Sequence, residues 1–243
     1  MAAVSPPRKA PPEPVLFRVR DAALLGLLTF VFVFAYFIYL TRVGFADRIA
    51  RDVAPGRTQG FLFGQLGMAL FLCLACAAVG LFLARRYGLP GVGDGPLVRA
   101  SLRWTVPVAI GAAVAVTFLF DIPFRRVAPG FYPRHWTWAL ASAFSATFAA
   151  EVVARFGMMT IFLGIVRDLR IANVAQAALF ALVASRNFAF ADHPVGGALT
   201  FVGLALSFGG SLGCGWIYAR YGLLAALLGH FLYELRTLAL AFL

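Results

Sequence analysis

Apolar residues run through this chain in long blocks, with no alternating pattern between them. Seven blocks stand out, at residues 22–41, 61–83, 104–120, 136–166, 171–190, 196–218 and 223–243. A bilayer core needs about 20 helical residues to cross it, and each block is that long or nearly so. Strand-like alternation is absent, and a helix satisfies its own backbone polar groups in lipid. The pattern predicts an all-α fold, a polytopic membrane helical bundle of about seven transmembrane helices. The third block is short for a span. The fourth is too long for an untilted one, so it is expected to tilt or break. No fixed-period repeat appears.

Composition agrees with this reading. Hydrophobic residues make up 62% and charged residues 13% of the chain, where a soluble domain has roughly half and a quarter. The mean hydropathy is +0.87. The opening MAAVSPPRKAPPEPVLFRVRD has no short apolar core before a small-residue cleavage site. It reads as a proline-rich, disordered cytoplasmic tail over residues 1–20, followed by an uncleaved first span. N-terminal transmembrane helices then occupy 21–135, and a helical core occupies 136–243.

The net charge of +11 would suggest nucleic acid on a soluble protein. Here the basic residues sit in short loops between apolar blocks, where they set topology and meet anionic membrane lipids. No nucleic-acid partner is expected. With the N-terminus inside, the inside segments hold eleven Lys and Arg and the outside segments seven. The chain is therefore read as a multi-pass integral protein of a bacterial inner (plasma) membrane, with its N-terminus cytoplasmic. The loop RVGFADRIARDVAPGRTQG places Phe45, Ile49 and Val53 at four-residue spacing among arginines, which predicts an amphipathic segment at the membrane surface. Cys73 and Cys76 form a CxxC pair in wholly apolar surroundings, so they read as small packing residues, as does Cys214 in GGSLGCG.

Against this background, five charged residues lie inside the expected spans: Glu151, Arg155, Arg186, Glu234 and Arg236. Each costs about 2.5–3.5 kcal/mol to insert near the bilayer centre. His230 lies in the last span, and His193 ends the fifth. Glu151 and Arg155 are four residues apart, as are His230 and Glu234, so each pair shares a helix face. Arg186 and His193 are seven apart. The expectation is a polar chamber built from the fourth, fifth and seventh spans. Simpler readings exist for each residue. Glu151 and Arg155 can satisfy each other, His193 can be an interfacial loop residue before Pro194, His230 can bond a carbonyl, and Arg236 can snorkel to the surface. Taken together, carboxylates and imidazoles on three helices form a set suited to activating water.

At these residues the chain resembles the CPBP intramembrane proteases, also called the CAAX protease or bacteriocin-processing (Abi) family. Members carry Glu-Glu-x-x-x-Arg, then Phe-x-x-x-His, then His-x-x-x-Asn or Asp, each on its own helix. AEVVAR covers Ala150 to Arg155, ADHP carries His193, and HFLYE covers His230 to Glu234. The likeness extends over LSFGGSLGCGWIYARYGLLAALLGHF and spans roughly residues 136–243. Ala150 stands where the family has the first Glu, usually assigned to activating the water. Ala189 stands where it has Phe, and Glu234 where it has Asn or Asp.

The resemblance implies an intramembrane endopeptidase that cleaves a membrane-embedded protein or peptide substrate near its C-terminus. Glu151, Arg155, His193, His230 and Glu234 would be its catalytic set. Zn2+ would sit on His193, His230 and Glu151. The alternatives are a catalytically inactive membrane scaffold or chaperone, and a small transporter using the same charges. With Ala150 unable to take a proton, the base must be Glu151 or Glu234. Glu151 has Arg155 at i+4, whereas Glu234 has no cation at i+3 or i+4. Glu234 is therefore the expected base.

Overall fold

The computed structural model describes residues 15–189 and 196–242. Among these there is no strand, and the chain is an all-α bundle. The helices are α1 (Val15–Arg42), α2 (Phe45–Val53), α3 (Thr58–Leu83), α4 (Gly95–Val116), α5 (Ile122–Val127), α6 (Trp136–Phe148), α7 (Thr160–Val166), α8 (Leu169–Ala189), α9 (Gly197–Tyr221) and α10 (Leu223–Leu240). Two π-helical stretches, Thr117–Asp121 and Ala149–Met159, join α4 to α5 and α6 to α7 without a break.

Six of the resulting continuous helices are long and apolar enough to cross a membrane. The remaining block forms α8, whose apolar part among the described residues covers Leu169–Ser185. Exposed Leu24, Phe63, Phe71, Val108, Phe118 and Phe201 are typical of the outer faces. In water they would be a liability, and in lipid they are the expected solvent-facing surface.

Several boundaries differ from the sequence reading. Helix α1 begins at Val15, so the last six residues of the expected 1–20 tail are helical; residues 1–14 lie outside the described residues. The third span is not short, because its continuous helix runs over Gly95–Val127. Asp94 caps it by accepting from the Leu97 amide at 2.9 Å, and Pro96 suits the first turn. Arg99 and Arg103, expected in a loop, therefore lie in its first turns. The long fourth block neither breaks nor stays purely α. It crosses as one helix over Trp136–Val166, with π geometry in its middle. The surface loop is the helix α2, which turns Ala46 and Ala50 inward and leaves Val53 exposed.

Two packing features set the frame for the polar residues. The π stretch lies against α3, where Gly80 faces the Phe156 ring and Gly157 faces Cys76 so closely that neither glycine has room for a Cβ. Cys73, Cys76 and Ala77 are buried along the same side of α3. Cys73 and Cys76 thus act as the small packing residues that the sequence suggested. The turn into α10 is held separately. Gly222 adopts φ 89°, which favours glycine, and the first amides of α10, from Leu223 and Leu224, donate to the carbonyls of Gly91 and Val92 at 3.0 and 2.9 Å. This fixes the height of His230 two turns further on.

Candidate functional site

A buried polar junction lies where the second π stretch meets α9 and α10. Glu151 and Arg155 project from the π stretch and are essentially unexposed. Their ion pair is long, 3.6 Å between Glu151 Oε1 and Arg155 Nη1. The same Oε1 lies 2.7 Å from His230 Nδ1 on α10. The other oxygen, Oε2, has no hydrogen-bond partner. On the far side of the imidazole, His230 Nε2 lies 3.5 Å from Glu234 Oε1. The ring thus has a carboxylate at each nitrogen. Either the ring carries two protons or one acid holds a proton, since two bare carboxylates cannot both accept from a neutral imidazole.

The junction continues in both directions. Glu234 Oε2 takes Arg236 Nη1 at 3.0 Å, and Arg236 Nε donates to Asp121 Oδ2 at 2.9 Å. The Arg236 guanidinium also stands 3.9 Å above the Tyr233 ring. Tyr132 closes this end by donating its hydroxyl to Asp121 Oδ1 at 2.9 Å. Burial and the adjacent Asp121 carboxylate both push the Tyr132 phenol up, so it stays a donor. At the other end, Arg155 Nη1 donates to the Ala150 carbonyl and Nη2 to Ser211 Oγ, each at 3.0 Å. Ser211 Oγ donates to Gln176 Oε1 at 3.2 Å, and Gln176 Nε2 donates to Asn173 Oδ1 at 2.8 Å. Among the described residues, three carboxylates and two guanidiniums therefore share one buried chain with one imidazole, His230, at its middle.

The sequence-derived set is only partly reunited. Glu151, Arg155, His230 and Glu234 converge as expected from their spacing. His193 lies outside the described residues, as does the side chain of Arg186. Their place relative to the junction is therefore not part of this geometry. Arg236 does not snorkel: it points into the bundle between Asp121 and Glu234. That also alters the standing of Glu234. Inspection of i+3 and i+4 missed the cation at i+2, whose long side chain reaches back to the carboxylate. Glu234 thus stands closer to its arginine, at 3.0 Å, than Glu151 does to Arg155, at 3.6 Å. The helices of the third and sixth apolar blocks contribute Asp121, Ser211 and Cys214, none of which was expected at the site. Asp121 lay just beyond the expected third block, two residues before Pro123. Ser211 and Cys214 looked like two of many small residues in α9.

Cys214 requires a correction of its own. It is not merely a small packing residue, because its Sγ and one ligand atom each of Glu151 and His230 all lie within 4.8 Å of one another. A zinc on Glu151, His230 and His193 was the expectation. The chemistry of Glu151 and His230 suits zinc, and the partnerless Glu151 Oε2 leaves one carboxylate oxygen free to bind it. Glu234 behind the imidazole is the kind of carboxylate that orients a metal-bound histidine.

Fold and junction together define a class: a multi-pass helical membrane protein with a buried carboxylate–imidazole–guanidinium chain. No family model, curated protein or solved structure matches this chain.

Proposed function

We propose that this protein is an intramembrane endopeptidase of the CPBP/CAAX type, cleaving a membrane-embedded protein or peptide near its C-terminus. The observation that carries the reading is His230, held between Glu151 at 2.7 Å and Glu234 at 3.5 Å, with Glu151 Oε2 unpartnered. The excess of Lys and Arg on one side supports a cytoplasmic N-terminus in a bacterial plasma membrane.

In this reading Glu151 and His230 hold zinc, with His193 as the resemblance implies. Bound zinc supplies an acidified water and polarises a carbonyl. The chain's own side chains do the rest. With zinc bound, Glu234 would hold the proton of His230 at Nε2 and free Nδ1 for the metal; without it, the 2.7 Å contact between Nδ1 and Glu151 Oε1 has a proton between the two atoms. Arg236 and Asp121 keep Glu234 in that position. Arg155 fixes Glu151 and is itself fixed by Ser211 and the Ala150 carbonyl. Burial keeps bulk water from the junction, so its electrostatic contacts act in a low dielectric. Glu234, tied to Arg236, serves as an orienting group, and the earlier expectation that it is the base loses its premise.

A second reading has a specific observation in its favour. Both glutamates are paired with arginines and Ala150 offers no acid, which suits an inactive membrane scaffold or chaperone. The test is the purified protein in liposomes with single-span peptides ending in prenylated or sorting-tail C-termini, followed by mass spectrometry. Discrete cleavage near the C-terminus is expected. His230→Ala and Glu151→Gln should each lower it by roughly a hundredfold or more. Absence of cleavage by the wild type across the panel would remove the protease reading and leave the scaffold.

A further inference from the structure

We infer that Cys214 is a ligand in a metal site with Glu151 and His230, selective for a borderline-soft divalent ion such as zinc. This deepens the protease reading by naming a ligand that the resemblance does not include, but its test does not depend on cleavage. Three different segments supply the donors: the second π stretch, α9 and α10. Their ligand atoms lie within 4.8 Å of one another. Ligands about 2.0–2.3 Å from one ion stand roughly 3.3–3.8 Å apart in a tetrahedron, so atoms at the 4.8 Å limit have to close by about 1.5 Å, and Glu151 Oε1, 2.7 Å from His230 Nδ1, has to move back or yield to Oε2.

Independent features point to a cation here. Glu151 is fully buried, yet its Oε2 has no hydrogen-bond partner. A carboxylate oxygen left dry is costly, and ligation would offset that cost. Finally, His230 already has a carboxylate behind Nε2, on the opposite side from Glu151. Metal-bound histidines are commonly braced in this way.

The donor types decide the metal class. Thiolate with imidazole favours zinc, cobalt or cadmium, and one carboxylate alone is a poor site for magnesium or calcium. With Cys214 in the place that the resemblance gives to His193, three protein ligands leave a fourth position for water or a substrate oxygen, the pattern of catalytic rather than structural zinc.

The test uses the full chain in detergent, stripped with a chelator and titrated with Cd2+ and with Co2+. One equivalent should bind with a sulfur-to-metal charge-transfer band. The band should vanish in Cys214→Ser and persist when Cys73 and Cys76 are both changed to Ser. X-ray absorption of the zinc-loaded wild type needs no variant. It should show one sulfur at about 2.3 Å with nitrogen or oxygen at about 2.0–2.2 Å. The inference is overturned by a wild type without the band, by a band that survives Cys214→Ser, or by a zinc shell with no sulfur. A band without peptide cleavage would keep this ligand set and remove the protease reading. Cleavage without a band would do the opposite.

Discussion

Arg236 Nε lies 2.9 Å from Asp121 Oδ2, joining the last helix to the π stretch at the end of the third span across 115 residues of sequence. Arg236 also holds Glu234 at 3.0 Å, so one guanidinium neutralises two acids. Removing one member of a buried ionic group strands its partners at a cost of about 3–5 kcal/mol. Arg236→Met should destabilise the protein by that order. Asp121→Asn should cost less, because Arg236 keeps Glu234. In a double-mutant cycle, Asp121→Asn combined with Arg236→Met should lose less than the sum of the two. Denaturant unfolding in detergent measures all three, and additive losses would show that the pair is not coupled.

Gly157 has no room for a side chain because Cys76 occupies the space. Gly157→Ala should cost about 1–3 kcal/mol through overpacking. Combining it with Cys76→Gly should restore part of that loss. If Gly157→Ala alone is neutral, the close approach of the π stretch to α3 is not as tight as described.

Ala150 separates the two functional readings. The protease reading expects the wild type to cleave with alanine at this position. Ala150→Glu adds an acid beside Arg155, which already donates to the Ala150 carbonyl. Cleavage that appears only in Ala150→Glu would identify a relative that had lost its base, and the scaffold reading would then hold.

Orientation can be read by cysteine labelling in intact cells, in a background where the three native cysteines are serine. A cysteine at position 5 should stay unlabelled by an impermeant reagent, and one at position 54, between α2 and α3, should be labelled. Labelling of position 5 from outside would invert the topology.

The helical spacing of HFLYE and EVVAR was legible because i and i+4 neighbours share a face whatever surrounds the helix. The bundle itself was legible for a related reason: blocks of apolar residues must be helical in lipid, since nothing else there satisfies the backbone. Two features show the limit of that reading. Arg99 and Arg103 looked like loop residues, because composition does not reveal a cap such as Asp94. The ends of the fourth block were legible but its middle was not, because π geometry leaves no mark in an apolar string.

The sequence by itself determined the all-α class and which polar residues share a helix face. These are local properties, set within a turn or two of each helix. Only the tertiary structure decided which faces meet. It brought Cys214 of α9 to Glu151 and His230, and Asp121 to Arg236, although nothing local distinguishes these residues from their neighbours. It also turned Arg236 inward, so that Glu234 orients His230 instead of standing free. The physical reason is that a buried charge takes whichever partner the packing brings within about 3 Å. That packing depends on close approaches such as Gly80 to Phe156 and the Gly222 turn, which act between helices far apart in the chain.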